Sequence, residues 1–240
     1  MRSLVIDDER LARLELSQLL QAHPDIQVVA ECSNADEAAD KIREHQPDLI
    51  FLDIQMPGRN GFELLEMLDK VPEVIFVTAY DDYALKAFEV SALDYLLKPI
   101  EEHRLTEALN KVRNQLAQMG GESDAPETVL GGKDQVFVKD GERCWFVTLS
   151  DVRLFESEGN YVRVYFQEHK PLILKSLNNL DKRLDPKDFF RASRKHIINL
   201  KWVDNIESWF NGGLIVTLKQ GEKVEISRRQ AVKLKERMSL

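Results

Sequence analysis

Four apolar, strand-like segments in the first hundred residues each carry a distinctive polar residue at the end. These residues are Asp7 and Asp8, Asp53, Thr78, and Lys98 with Pro99. In a parallel α/β sheet the ligand site lies outside the carboxyl ends of the strands. We therefore expect three carboxylates, a hydroxyl and an ammonium to meet at one edge of a sheet.

The first half of the chain alternates between two hydrophobic patterns. Stretches with helical spacing of apolar residues, including one over 84–88, separate apolar runs at 3–6, 26–30, 49–54, 74–79 and 93–97. This alternation predicts an α/β fold with a doubly wound, parallel, five-stranded sheet. In the first predicted helix, a single apolar face contains Leu11, Leu14, Leu16, Leu19 and Leu20.

The pattern changes after a short irregular stretch. Residues 118–132 lose periodicity and collect Gly, Ser, Asp and Pro, which is a linker composition. Beyond it, apolar and polar residues alternate with a period of two, and turn residues separate the runs. We predict a domain over 1–117, a linker over 118–132 and a mainly antiparallel β domain over 133–240. One short helix is expected near 176–184 and another at the C-terminus.

The net charge of −8 is unevenly distributed. Residues 1–129 hold 12 Lys/Arg and 26 Asp/Glu, a charge of −14, whereas residues 130–240 hold 21 and 15, a charge of +6. This asymmetry indicates that only the second half meets a polyanion. On charge alone, a basic surface that is merely solvated is an open alternative.

Two features of the sequence concern the compartment. Cys32 and Cys144 form neither a metal-type spacing nor a disulfide framework, which favours buried thiols in a reducing cytoplasm. No apolar run approaches the roughly 20 residues of a membrane span, and MRSLVIDDER lacks the apolar core of a secretory signal. We expect a cytoplasmic protein without a membrane partner.

The predicted group of carboxylates has the chemistry of a magnesium site. Hard oxygen ligands select Mg²⁺, which keeps several waters and usually takes a phosphate oxygen as well. Asp8 and Asp53 are expected to bind the ion directly, together with a backbone carbonyl near Gln55, while Asp7 acts through water. Once a cation offsets the repulsion among the carboxylates, Asp53 can attack a phosphoryl group as a nucleophile.

Lys98 and Thr78 complete the predicted site. The ammonium of Lys98 is expected to pair with phosphoryl oxygens, and the hydroxyl of Thr78 to donate a hydrogen bond to another of them. Pro99 directly after Lys98 predicts a cis peptide bond, because cis bonds are essentially a proline phenomenon.

Residues 1–117 resemble the receiver domain of bacterial response regulators. The resemblance rests on Asp7-Asp8, the LDIQMPGRNG stretch around Asp53, Thr78-Ala79, and Tyr95 three residues before Lys98-Pro99. It implies that a sensor histidine kinase phosphorylates Asp53 and that Thr78 and Tyr95 form a switch pair. Such a protein is not an enzyme, since it catalyses only its own phosphorylation and dephosphorylation. The stretch AYDDYALKAFEVSALDYLLKP is similar to a receiver face that forms two-fold dimers, which implies a homodimer on phosphorylation.

The second half contains residues suited to double-stranded DNA, with positive charge for phosphates and forked side chains for base edges. The candidates are Arg191, Arg194, Lys195 and His196, then Arg228-Arg229, and a turn with Asn160, Tyr161 and Arg163. The arginines fall between strands rather than on an amphipathic recognition helix, so DNA contact must come from loops.

Residues 133–240 resemble a LytTR-type DNA-binding domain, an all-β module that inserts loops into successive major grooves. The stretches DFFRASRKHIINLKWVDNI and ISRRQAVKLKE carry this resemblance. It implies base and phosphate contacts from the loop after the FFR segment and from the arginines before the last helix. Ser193 stands where that family usually has His, and His196 where it often has Tyr. We therefore place more weight on Arg194 and Arg229 than on their neighbours.

These features predict a two-component response regulator of the LytR/AlgR type that binds repeated DNA sites and regulates transcription. One alternative is a phosphatase that passes through an aspartyl-phosphate. The most familiar of these have the nucleophile after the first strand and a second Asp two residues on. Here Asp53 follows the third strand and Gln55 stands two residues on. Another alternative is a switch whose second domain binds a protein. The net charge of +6 on residues 130–240 argues against it.

Overall fold

The computed structural model describes residues 1–79, 94–119, 129–141 and 143–238. Contacts divide the chain into two compact units, one of Met1–Glu122 with Gln135–Phe146 and one of Ser123–Asp134 with Val147–Leu240. The predicted linker falls largely outside the described residues, so the domain limits stay a prediction.

The first unit contains a parallel sheet of five strands in the order β2-β1-β3-β4-β5. The strands are β1 (Arg2–Ile6), β2 (Gln27–Cys32), β3 (Leu49–Leu52), β4 (Glu73–Thr78) and β5 (Asp94–Leu97). Each corresponds to one of the apolar runs in the sequence. The prediction of an α/β, doubly wound, five-stranded sheet is confirmed.

Helices cover both faces of this sheet. The described helices are α1 (Arg10–Leu20), α2 (Ala35–His45), α3 (Gly61–Met67) and α4 (Glu102–Met119). Because successive side chains of a strand point to opposite faces, Ile50 and Leu52 join a core with α2 and α3, whereas Phe51 joins a core with α1 and α4. The helix predicted over 84–88 lies outside the described residues.

Helix α1 differs from its predicted pattern. Leu16 and Leu20 are buried, but Leu11 and Leu14 are 78% and 51% exposed. With about 100° of rotation per residue, Leu11 and Leu14 lie on a different side of the helix from Leu16 and Leu20. The prediction of one apolar face through all five leucines is therefore wrong.

The start of α3 is built to pack against the end of β3. The side chain of Asn60 accepts the Glu63 N–H, and the Glu63 carboxylate accepts the Asn60 N–H, which forms a capping box. At Gly61, a Cβ atom would lie 2.5 Å from the carbonyl oxygen of Asp53. Glycine therefore allows α3 to begin directly against the backbone that carries Asp53.

Two strands from beyond the predicted linker lie mostly within the first unit. They are β6 (Gln135–Asp140) and β7 (Arg143–Thr148), which form a two-stranded sheet. The N–H of Val71 donates to the Gln135 carbonyl at 3.0 Å, and Lys139 pairs with Glu66 at 2.8 Å. Polar contacts thus connect β6 to α3 and to the segment between α3 and β4.

An aromatic cluster provides the apolar part of this packing. Ring centroids lie 5.2 Å apart for Phe62 and Phe76, 6.3 Å for Phe62 and Phe137, 6.4 Å for Phe76 and Phe146, and 5.3 Å for Phe137 and Phe146. The half-buried Tyr95 packs against the same core. The β6–β7 pair therefore shares a core with β4 and β5.

The second unit is mainly antiparallel β, as predicted. One sheet has the order β10-β9-β8-β12-β11 and another β13-β14-β15, and the described pairings in both are antiparallel. The strands are β8 (Val152–Glu158), β9 (Tyr161–Phe166), β10 (Leu172–Ile173), β11 (Phe189–Arg191), β12 (His196–Asn199), β13 (Val203–Ser208), β14 (Leu214–Leu218) and β15 (Lys223–Ile226). The two predicted helices are present as α5 (Leu177–Arg183) and α6 (Arg228–Met238). Of the helices in the described ranges, none has the length and apolar character needed to cross a membrane.

Phe137→Ala removes the ring through which β6 packs on Phe62. We expect it to destabilise the first unit by about 3 kcal/mol, as large core truncations do, and to speed hydrogen exchange at the Val71 amide. Phe210→Ala is the matched control because Phe210 is 76% exposed. Its effect should stay within about 0.5 kcal/mol. Urea unfolding combined with hydrogen exchange measures both quantities, and equal effects of the two substitutions would contradict this packing.

Candidate functional site

The carboxyl ends of β1 and β3 bring the three predicted carboxylates together. Asp7 and Asp8 follow β1, Asp53 follows β3, and the Asp53 N–H donates to the Ile6 carbonyl at 2.8 Å. Carboxylate oxygens from the three residues lie within 4.8 Å of one another. Asp7 and Asp53 are buried, whereas Asp8 is exposed. Neighbouring strands thus create a cluster of carboxylates that solvent reaches from the side of Asp8.

Lys98 supplies positive charge to this cluster. Its Nζ lies 2.7 Å from Asp7 Oδ2 and 2.9 Å from Asp53 Oδ2, and its side chain is 16% exposed. Burial alone would lower the pKa of the Lys98 ammonium, but the hydrogen bonds to the two carboxylates raise it above its ordinary value. The ammonium therefore stays charged and offsets part of the carboxylate repulsion. The Lys98-Pro99 peptide bond is cis, as predicted.

Hydrogen bonds from the Glu9 backbone and the Arg13 side chain hold Asp7 in position. Its Oδ1 accepts the Glu9 N–H at 2.9 Å, and the Arg13 guanidinium donates to the Asp7 carbonyl at 2.7 Å. Burial raises the pKa of the Asp7 carboxyl above its ordinary value, against the opposing hydrogen bonds from Lys98 and Glu9. The ionised form of this carboxyl thus depends on positive charge close to it.

The other predicted residues of this edge lie at the ends of β3, β4 and β5. The Gln55 N–H donates to Asp53 Oδ1 at 3.1 Å. Thr78 closes β4 with a buried side chain, and its carbonyl accepts the Lys98 N–H at 2.9 Å. Tyr95 lies in β5 opposite Phe76 of β4. Gln55 and Lys98 therefore both contact the carboxylates, and the Lys98 backbone joins Thr78 to this cluster.

The carboxylate cluster fits a magnesium ion. It offers the hard oxygen ligands that Mg²⁺ prefers, and the exposed Asp8 leaves access for the waters that the ion keeps. A divalent cation also supplies the positive charge that the buried Asp7 and Asp53 require. Asp7, Asp8 and Asp53 are the residues that would hold it.

In the second unit, a groove of about 270 Å³ joins two of the predicted DNA-contact segments. The turn between β8 and β9 contributes Asn160, the start of β9 contributes Tyr161, and the loop between β11 and β12 contributes Arg194. All three residues are exposed. Segments that are distant in sequence therefore present their side chains around one concave surface.

The β11–β12 loop carries both exposed and inward-facing candidates. Arg194 and Lys195 are exposed, and in the described part of the chain neither side chain has a hydrogen-bond or ion-pair partner. His196 is half-buried, with Nδ1 3.1 Å from Ser193 Oγ and Nε2 3.4 Å from Glu156 Oε1. The loop thus offers two cations to a ligand and keeps His196 in internal contacts.

The arginines at the start of α6 are connected to the same region. Arg228 and Arg229 are exposed, and the Gln230 side chain donates to the Arg191 carbonyl at 2.8 Å. Arg163, another candidate, pairs with Glu158 at 2.6 Å.

Sequence reasoning missed part of the groove lining. Lys175, Ser176 and Asn178 line it at the start of α5. The only local signal is one Lys before the Ser176 helix cap, and that pattern is common on protein surfaces without any ligand.

Two family models match the chain. The model described as "Response regulator receiver domain" matches residues 4–110, and the model described as "LytTr DNA-binding domain" matches residues 142–239. The two matches lie on either side of the predicted linker.

Curated relatives match over essentially the whole chain. The protein is 36% identical to the "Sensory transduction protein LytT" of Enterococcus faecalis, with 100% of both chains covered. It is 35% identical to the protein of the same name in Bacillus subtilis, with 98% of both covered. It is 38% identical to the "Transcriptional regulatory protein BtsR" of Salmonella typhimurium, with 99% of this chain and 98% of the relative covered.

Proposed function

The chain belongs to the response regulators that join a receiver domain to a LytTr DNA-binding domain, and we propose that phosphoryl transfer to Asp53 controls its binding to DNA. Membership in this family makes it a regulator within a two-component system. The observation that carries the proposal is the Lys98 ammonium between Asp7 and Asp53 at the edge of the parallel sheet. That arrangement holds a carboxylate nucleophile next to a cation that can receive phosphoryl oxygens.

Asp53 is the phospho-acceptor in this proposal, and a phosphohistidine of a sensor histidine kinase is the donor. A carboxylate oxygen of Asp53 bonds to phosphorus as the bond between phosphorus and the imidazole nitrogen breaks. Lys98 pairs with the oxygens of the transferred group. Asp7, Asp8 and Asp53, with the Gln55 backbone carbonyl as a further ligand, would hold Mg²⁺, which would supply charge neutralisation.

Thr78 and Tyr95 are the proposed switch pair. The Thr78 hydroxyl donates to a phosphoryl oxygen, and Tyr95 changes its packing in response. Support for a coupling role comes from the core that Tyr95 shares with Phe137 and Phe146 of the β6–β7 pair. Strand β7 runs on into the second unit at Val147. One new dianion would thus bias an element that leads to the DNA-binding domain.

Double-stranded DNA is the proposed partner of the second unit. The proposed contact residues are Asn160, Tyr161, Arg194, Lys195, His196, Arg228 and Arg229. The exposure of six of them and the groove shared by three support this assignment. A homodimer formed on phosphorylation would present two copies of this surface to repeated DNA sites. Most of the proposed dimer face, 80–93, lies outside the described residues.

The cytoplasm is the proposed compartment. Cys32 and Cys144 are both free and buried. Burial raises the pKa of the Cys32 thiol to about 12 and that of the Cys144 thiol to about 11. These thiols stay protonated and unreactive at neutral pH, which suits a reducing compartment.

Asp53→Asn removes the proposed nucleophile and should abolish binding of beryllofluoride, a mimic of the phosphoryl group. Fluorine NMR should show bound beryllofluoride on the wild type with Mg²⁺ present, and none after chelation of the metal or in the variant. Asp40→Asn is the matched control, because Asp40 is an exposed carboxylate on α2. Bound beryllofluoride on Asp53→Asn at the wild-type level would assign the acceptor elsewhere.

Arg229→Ala should weaken binding to a duplex selected from random DNA by about 1–3 kcal/mol if Arg229 reads a base. If Arg229 contacts only phosphate, the slope of log affinity against log salt should fall by about one instead. Lys235→Ala, another exposed cation of α6, is the control and should leave affinity unchanged. Fluorescence anisotropy over a salt series measures both. Wild-type affinity and slope in Arg229→Ala would exclude Arg229 from the interface.

A further inference from the structure

Arg191 lines the same groove as Arg194, and its guanidinium holds the β11–β12 loop through hydrogen bonds. Its Nε donates to the Ser193 carbonyl at 2.7 Å, and one terminal nitrogen donates to the Arg194 carbonyl at 2.9 Å. The guanidinium also donates to the Leu177 carbonyl at 2.8 Å and to Asn178 Oδ1 at 3.2 Å. A guanidinium has five N–H donors, so most of the hydrogen-bonding capacity of Arg191 is used within the protein.

The same loop is closed by hydrogen bonds of its own. The N–H groups of Ala192 and Ser193 donate to the His196 carbonyl at 3.0 and 3.2 Å. Ser193 Oγ accepts the Lys195 N–H at 3.1 Å and lies 3.1 Å from His196 Nδ1. The backbone of the loop is therefore fixed, while the side chains of Arg194 and Lys195 are exposed.

Arg191 also connects the loop to two helices. Leu177 and Asn178 belong to α5, and Gln230, which donates to the Arg191 carbonyl, belongs to the first turn of α6. Arg228 and Arg229 directly precede Gln230. One half-buried residue thus joins the loop of Arg194 to the helix that carries the other proposed arginine contacts.

We propose that Arg191 is a positioning residue for DNA recognition, which fixes the loop that presents Arg194 and does not itself contact DNA. This inference rests on the proposed function and deepens it. Lysine cannot replace Arg191 in this role, because a single ammonium cannot reproduce a planar fork directed at several acceptors. The exposed Arg194 and the half-buried Arg191 would therefore respond differently to substitution.

A double-mutant cycle tests the proposal. The substitutions are Arg191→Gln and Arg194→Ala, alone and combined, and the probe is a duplex that the wild type enriches from random DNA. Arg191→Gln should weaken binding about tenfold in the wild type but less than about threefold when residue 194 is already Ala, because residues that act through one another are not additive. Additive losses would overturn the positioning role.

Salt dependence and a conservative substitution give a second readout. If Arg191 contacted a phosphate, Arg191→Lys would keep most of the affinity. Arg191→Gln would then lower the slope of log affinity against log salt by about one, in the Arg194→Ala background as well as in the wild type. We expect Arg191→Lys to lose as much affinity as Arg191→Gln, and the slope in the Arg194→Ala background to stay unchanged. Rescue by lysine would overturn the proposal.

A milder substitution covers the case in which Arg191→Gln does not fold. Asn178→Ala removes one hydrogen-bond acceptor of the Arg191 guanidinium and should weaken DNA binding about twofold to threefold. In the Arg194→Ala background it should cause no further loss of affinity. Asn179→Ala, at the adjacent exposed position, is the matched control and should bind as the wild type does. Equal affinities for Asn178→Ala and Asn179→Ala would count against the proposal. A wild type that enriches no DNA would overturn the proposed function itself, whereas an additive cycle in a DNA-binding wild type overturns only the role of Arg191.

Discussion

The pairing of Lys98 with Asp7 and Asp53 is the interaction on which the first unit depends. Two buried carboxylates side by side are unfavourable unless positive charge lies close to them. The sheet order places β1 next to β3, and Lys98 after β5 reaches both carboxylates at hydrogen-bond distance. The fold thus concentrates negative charge at one edge and holds a cation there. Under the proposed function, transfer of a phosphoryl group changes this balance, and Thr78 on β4 and Tyr95 on β5 respond to the change.

In the second unit, the important interactions are the hydrogen bonds that fix the backbone beneath the exposed cations. Its exposed cations are attached to a backbone that is bonded internally, through Arg191 to the β11–β12 loop and through Gln230 to α6. Internal hydrogen bonds hold such a loop in few conformations before it binds. The loop therefore loses less conformational entropy on binding, which favours affinity and base selectivity. Under the proposed function, the residues that contact DNA are therefore distinct from Arg191, which supports them.

The parallel sheet could be predicted because its signals are local: apolar runs, helical spacing and polar residues at strand ends. Strand β8 departs from the alternation predicted for the second half, because Val152–Phe155 is buried at four successive positions. The exposure of Leu11 and Leu14 depends on which side of α1 faces the sheet. Two features of the proposed DNA-binding surface could not be predicted from the sequence either. The inward contact of His196 depends on its pairing with Glu156 of β8, and the groove position of Lys175 depends on tertiary packing.

The central claim is that the charge state of the Asp53 site controls DNA binding, and DNA selection from random duplexes at moderate salt tests it most directly. The full chain would be selected with Mg²⁺, once with beryllofluoride and once without it. The account predicts a motif of two spaced repeats that is bound more tightly with beryllofluoride present. A motif bound equally in both states would contradict the coupling, and no enriched motif in either state would indicate that the second unit binds a protein instead.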